Sequence, residues 1–194
     1  MSRSPRAAVE CPDAAEVALL RRVAAGDAAA LGQAFDRYHR AVYAFLSRLR
    51  GPRDLDDLVQ DVFVALPAAA ARFDGLGSPR GFVFGVALQH ARRERRRWFR
   101  RFTLWQSRAD ELDPPEAPSD PERHSIDRQA LDQLRRAVAA LPEAQRETFL
   151  LIEAEGLSGE DAARALEVPV NTVWTRLHHA RHTLREALRR EEAR

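Results

Sequence analysis

The sequence contains no lysine: all 31 basic side chains among its 194 residues are arginines. Every basic patch is therefore built from planar, permanently charged forks suited to phosphates and carboxylates. A single cysteine, Cys11, excludes an internal disulfide framework and a cysteine-built zinc site. Long apolar runs are also missing. FVFGVAL (82 to 88) is among the longest, far short of the roughly 20 residues a membrane-spanning helix needs. The opening MSRSPRAAVECPDAAE lacks the apolar core of a signal segment. These absences predict a soluble, cytoplasmic protein with no membrane segment of its own. No Gly-rich phosphate loop, nucleophile elbow or carboxylate pair in a plausible pocket can be found, so the sequence offers no catalytic residue and no cofactor site.

Strand signals are scarce as well: β-branched runs are few, while Ala, Leu, Arg and Glu abound. The chain is predicted to be all-α. Apolar residues recur at helical spacing over 15–24, 28–49 (Leu31, Phe35, Tyr38, Val42, Phe45, Leu49), 54–66 (Leu55, Leu58, Val62, Leu66) and 80–99. Further helices are predicted at 126–140, 143–155, 159–166 and 170–190. Between the blocks, residues 103–125 hold Pro114, Pro115, Pro118 and Pro121 among six acids, which reads as an extended acidic linker. The expected organisation is a disordered tail (1–15), an N-terminal helical domain (16–102), the linker, a C-terminal helix-turn-helix domain (126–190) and a short tail (191–194).

Charge is sorted along the chain. Asp54, Asp57 and Asp61 fall one turn apart with Asp56 and Gln60 beside them, on a predicted helix whose Leu58, Val62 and Leu66 face inward. Such a stripe suits either solvent or a basic protein surface. From Arg80 to Arg101 there are eight arginines and one acid, Glu94, a local net of +7. That concentration is best explained by a polyanionic partner whose phosphates it neutralises. In the C-terminal block, Leu157-Ser158-Gly159-Glu160-Asp161 has the form of a helix start in which Ser158 caps and Asp161 returns the bond to the cap's amide.

A short helix, a turn at Glu167-Val168-Pro169 and a longer helix then follow, the layout of a helix-turn-helix whose second helix enters the major groove. On that helix Val173, Leu177, Ala180, Leu184 and Leu188 form a buried stripe. Asn171, Thr175, His178 and His182 lie on another face, beside Arg176, His179 and Arg181. His178 and His182 have the spacing of a helical metal site, but without the acid of an HExxH motif or a third ligand no metal is assigned. Trp174 borders the apolar stripe, where packing and DNA contact are both open.

LPEAQRETFLLIEAEGLSGEDAARALEVPVNTVWTRLHHARHTLREAL (141 to 188) resembles the C-terminal domain of the small bacterial RNA polymerase sigma factors of the extracytoplasmic-function type. DLDDLVQDVFVAL (54 to 66) resembles that family's acidic polymerase-binding helix, and PRGFVFGVALQHARRERRR (79 to 97) its promoter-melting helix. The resemblance implies a promoter-specificity subunit that binds core RNA polymerase, recognises promoter DNA and is held in check by an anti-sigma factor. It assigns Asp54, Asp56, Asp57, Gln60 and Asp61 to the polymerase. Phe73, Arg80, Phe82, Gln89, Arg92, Arg93, Arg96 and Arg97 go to the minus-10 element and DNA melting, with the loop Phe73–Pro79 receiving a flipped base. Asn171, Thr172, Trp174, Thr175, Arg176, His178, His179, Arg181 and His182 go to the minus-35 element.

The sequence departs from the family at Phe82 and Gln89, where Trp and Asn are common, and at Trp174 and His179, often basic. These changes predict an altered base preference and a less cationic recognition face. Pro67 is expected to end or kink the acidic helix. A free-standing DNA-binding regulator with a helical sensor domain is the rival reading; it would bind its operator alone, as a dimer.

Overall fold

The computed structural model describes residues 14–51, 55–106 and 126–192, with side chains at 14–51, 55–98 and 131–190. Among these residues the chain is helical throughout: α1 (Ala14–Ala24), α2 (Ala28–Arg50), α3 (Leu55–Ala70), α4 (Pro79–Gln106), α5 (Ile126–Ala139), α6 (Glu143–Phe149), a π-helical turn (Leu150–Ala154), α7 (Gly159–Leu166) and α8 (Val170–Glu192). None of these helices is long and apolar enough to cross a membrane. Residues 1–13 of the tail expected at 1–15, Asp54 and residues 107–125 of the expected linker lie outside the described residues.

Local chemistry sets the helix starts. Asp27 caps α2 by accepting from the Ala30 amide at 3.0 Å. That bond, together with Arg22 paired at 2.6 Å, holds its carboxyl below the usual range. Ser78 accepts from the Gly81 amide at 3.0 Å ahead of Pro79, a cap followed by proline in the first helical turn. Ser158 accepts from the Asp161 amide at 3.1 Å, as the sequence predicts. The reciprocal half of that capping box is not made, because the Asp161 carboxylate instead accepts from the Ser78 amide of the N-terminal domain at 2.8 Å.

Two helices run on past the ends expected for them. Pro67 lies inside α3, which runs on to Ala70. Its φ is compatible with a helix and it forfeits only one backbone bond; burial of Ala69 and Ala70 secures the turn beyond. The helix α4 continues to Gln106, past the boundary expected at residue 103.

The N-terminal core is built by α1 to α4, with Leu20, Val42, Leu46, Leu66 and Leu88 fully enclosed and Phe45 meeting Phe84 edge-on at 5.2 Å. Such side chains each contribute roughly 1.5–3 kcal/mol. In the C-terminal domain Val173, Leu177, Ala180 and Leu184 of α8 are buried as predicted, with Leu188 only partly so. The two cores are continuous. The face of α4 carrying Ser78, Gly81, Gly85, Gln89 and Arg92, at spacings of 3, 4, 4 and 3, lies against the C-terminal domain. A Cβ on Gly85 would lie 3.2 Å from the Ala165 Cα, and one on Gly81 would lie 3.0 Å from the Asp161 Cβ. Glycine at both positions is what lets α4 and α7 approach so closely.

Gly85→Val should therefore force the two domains apart, lowering the melting temperature and raising the radius of gyration in small-angle scattering. Gly32→Ala is the control: its Cβ would meet nothing within 4 Å on α2, so it should stabilise by about 0.5–1 kcal/mol without a change in size.

Candidate nucleic-acid interface

Three surfaces carry the side chains singled out by sequence. On α3, Asp56, Asp57, Gln60 and Asp61 are exposed while Leu55, Leu58, Val62 and Leu66 are buried, so the helix separates its charged and apolar faces as expected. Beside it runs an open apolar cleft of about 600 Å3 between α2 and α3, lined by Leu31, Phe35, His39, Tyr43, Val59, Phe63 and Val64, with Asp56 and Gln60 on its lining. Phe35, counted among the inward residues from periodicity, is partly exposed here, stacked on His39 at 4.8 Å and edge-on to Phe63 at 4.9 Å. The cleft went unnoticed in the sequence because an apolar residue at helical spacing marks a face, not whether that face is covered.

The second surface is the arginine-rich helix α4. Arg93, Arg96 and Arg97 are exposed, and Arg97 pairs locally with Glu94 at 2.8 Å. His90, half-buried above α3, is held below its ordinary value of 6.5, first by burial and then by Arg93, with Asp61 opposing. The polar residues on the opposite flank are engaged by carboxylates, although Arg80 and Arg95 stay exposed to solvent. Arg92 makes a two-pronged pair with Glu147, Nε to Oε1 at 2.9 Å and Nη2 to Oε2 at 2.5 Å. Glu147 is only 2% exposed, and its carboxylate holds the Arg92 guanidinium above the ordinary arginine range. Arg80 reaches Glu155 at 3.1 Å, and Arg48 of α2 reaches the other oxygen of the same carboxylate at 2.7 Å. Burial raises the Glu155 pKa even against these two cations. Gln89 donates to Glu167 at 2.6 Å, and Arg95 pairs with Glu143.

The carboxylates on this flank, Glu143, Glu147, Glu155 and Glu167, all belong to the C-terminal domain. Glu167 reaches Gln89 because it ends α7 in the left-handed conformation, φ 58°, a geometry that costs a non-glycine residue about 1 kcal/mol or more. Phe73 and Phe82 pack together at 5.0 Å beside the loop that follows α3. That loop borders a cavity of about 350 Å3, closed on its far side by Asp161, Arg164, Ala165 and Glu167 of α7 and its C-terminal cap.

The third surface is α8. Asn171, Trp174, Thr175, His178, His179, Arg181 and His182 are exposed, and Thr172 and Arg176 are partly so. Thr175 Oγ1 donates to the Asn171 carbonyl at 3.0 Å, and Arg181 pairs with Glu153. His178 and His179 meet edge-on at 5.8 Å. Among the described residues, no group of three or more His, Cys, Asp or Glu could hold a metal ion.

The sequence matches the family models for sigma-70 region 2 over residues 34–101 and sigma-70 region 4 over residues 131–184. It is 34% identical over 171 residues to the RNA polymerase sigma factor NccH of Alcaligenes xylosoxydans xylosoxydans, covering 86% of this chain and 91% of that protein. The chain belongs to the extracytoplasmic-function sigma factors. A second relative, the ECF RNA polymerase sigma factor SigC of Mycobacterium tuberculosis (strain CDC 1551 / Oshkosh), is 30% identical over 176 residues, 89% of this chain and 90% of the relative. The solved structure of CnrH in complex with the cytosolic domain of CnrY superposes with a TM-score of 0.64 at 26% identity, covering 90% of this chain and 97% of CnrH.

Within this alternative sigma factor, region 2 spans α2 to α4, and region 4 spans α5 to α8, whose α7 and α8 form the helix-turn-helix. Three residues predicted to serve the minus-10 element, Arg80, Gln89 and Arg92, are each held by a carboxylate of region 4. Glu143, Glu147, Glu155 and Glu167 were absent from the sequence-derived sites, although the acid-rich composition of α6 and its surroundings was visible. Glu147→Ala should leave the Arg92 charge facing an emptied, buried position and weaken domain docking by about 2 kcal/mol. Urea unfolding of the full chain checks this: the transition should move to lower urea, and a cysteine pair placed across α4 and α6 should crosslink more slowly.

Proposed function

We propose that this sigma factor binds core RNA polymerase through Asp56, Asp57, Gln60 and Asp61 of α3, with Asp54 just before the helix. The α4 residues and the Phe73–Pro79 loop then engage and open the minus-10 element, while the exposed face of α8 reads the minus-35 element. It acts in the cytoplasm as a specificity subunit without catalysis of its own. An anti-sigma factor restrains it. That part of the reading is supported by the sigma factor RpoE of Bartonella quintana, solved in complex with the anti-sigma factor NepR; CnrH was likewise solved with a protein partner, the cytosolic domain of CnrY.

The observation that carries this reading is the pairing of Arg80 and Arg92 with carboxylates. A guanidinium fork set to take two oxygens of an anion takes a phosphate by the same geometry. The closed arrangement is thus a state in which region 4 occupies part of the face that DNA would use, and promoter binding requires the two regions to separate. Core polymerase, by engaging α3 and holding the regions apart, would supply that opening. The free-standing regulator has no such need and would bind its operator unaided.

Transcription by bacterial core polymerase, with and without the protein, on a library of genomic promoter fragments tests the proposal: selective, start-site-specific transcripts are expected only when the protein is added. Asp57→Arg combined with Asp61→Arg should abolish polymerase binding and leave the melting temperature unchanged, because both side chains are exposed. Replacing Arg93, Arg96 and Arg97 with Ala should cut promoter opening and reduce the log–log salt slope of promoter binding by about 2–3. An unchanged slope would remove these arginines from the DNA contact.

A further inference from the structure

Trp174 stands out on the recognition helix. Asn171, Trp174, Thr175 and His178 occupy one exposed patch on the first two turns of α8, with Trp174 at the edge that borders the buried stripe of Val173 and Leu177. The indole is 50% exposed, yet it is not a loose surface side chain. Its other half lies on the bare backbone of Gly159 at the start of α7: a Cβ on Gly159 would come within 3.0 Å of the indole Cε2 and nearer still to Cζ2. Only glycine leaves room for the ring there, so one side of the indole is set by the helix-turn-helix itself and the other is presented to solvent.

The neighbours define what this surface can read. Thr175 commits its hydroxyl proton to the Asn171 carbonyl, and the patch carries no arginine; Arg176 and Arg181 project from other positions on the helix. An indole carbon surface offers neither a cation for a phosphate nor a donor and acceptor pair for a purine edge. In the major groove the feature that matches an apolar plate is the C5 methyl group of thymine. Resting on the proposed promoter reading, we propose that Trp174 is a specificity-determining residue that recognises a 5-methylpyrimidine in the minus-35 element, with Gly159 as the residue that positions it.

The test needs no variant at its first step. With core polymerase and the full chain, a promoter library randomised across the minus-35 element gives the preferred sequence. Each thymine on either strand of that element is then replaced singly by uracil, which removes only the methyl group. One position should lose about 3–10-fold in promoter affinity, the scale of one buried methyl group and its packing. Replacing cytosine by 5-methylcytosine at that same position should recover affinity relative to cytosine. Trp174→Ala should respond equally to thymine and uracil there. Gly159→Ala should do the same although the indole is still present, because the added Cβ displaces it.

If the wild-type protein is indifferent to uracil at every thymine, or Trp174→Ala retains the discrimination, Trp174 is packing for α7 and the inference is overturned while the sigma reading stands. If no promoter-directed transcription is obtained from any fragment, the sigma reading fails and takes this inference with it.

Discussion

The close approach of α4 and α7 is the constraint on which the rest of the arrangement depends. Gly81 and Gly85 leave one strip of α4 without side chains, and Asp161 and Ala165 of α7 settle onto it. Once the two helices touch at that strip, the longer side chains on its flanks have fixed reach: Gln89 finds Glu167, Arg92 finds Glu147, and Arg80 shares Glu155 with Arg48. Taking a carboxylate out of water costs several kcal/mol, and the return depends on well-made bonds to its partner. These pairs therefore define which surfaces meet more than they strengthen the meeting. Glu155 shows the balance. Its pKa in the docked form lies above the ordinary 4.5 despite two cations, so the docked form holds the proton more tightly than the separated form. By linkage, docking gains as pH falls through that range and the gain is lost as pH rises through the docked pKa.

The absence of lysine bears on the same interface. An arginine does not escape burial by giving up its proton, as a lysine can. A chain whose every cation is arginine must meet each partly buried one with an anion, from its own sequence or from a partner. Region 4 supplies carboxylates; a promoter would supply phosphates. The exposed Arg93 and Arg96 at the far flank of α4 show what that helix looks like where, among the described residues, no carboxylate of region 4 is paired with it.

Periodicity disclosed what lies within each region. Leu58, Val62 and Leu66, or Val173, Leu177 and Leu184, repeat within a few residues of one another, so the pattern that buries them is local and visible in the sequence. Ser158 as a cap was equally local. The contact between regions was not, since Arg92 and Glu147 are 55 residues apart and Arg80 and Glu155 are 75. An arginine announces that it needs an anion and says nothing of which one. Eight arginines against a single nearby acid accordingly read as a nucleic-acid surface, when part of that demand is met inside the molecule. Asp161 misled for the same reason: the capping box assigned its carboxylate to the nearest amide, while the fold offered the more distant one of Ser78. Gly81 and Gly85 carried the missing signal, four residues apart on a helix otherwise full of bulk, and their meaning emerges only with α7 laid against them.

The π-helical turn at Leu150–Ala154 places one extra residue in the helix leading to Glu155, whose amide bonds back to the Leu150 carbonyl at 3.0 Å. One residue more or less in a helix is a rotation of about 100°. A single-codon deletion within that turn could restore an unbroken α-helix at little local expense, yet it would swing Glu155 away from Arg48 and Arg80. The smallest length change available to a gene could thus uncouple the two halves of this protein while leaving the helices, their composition and their net charge almost untouched.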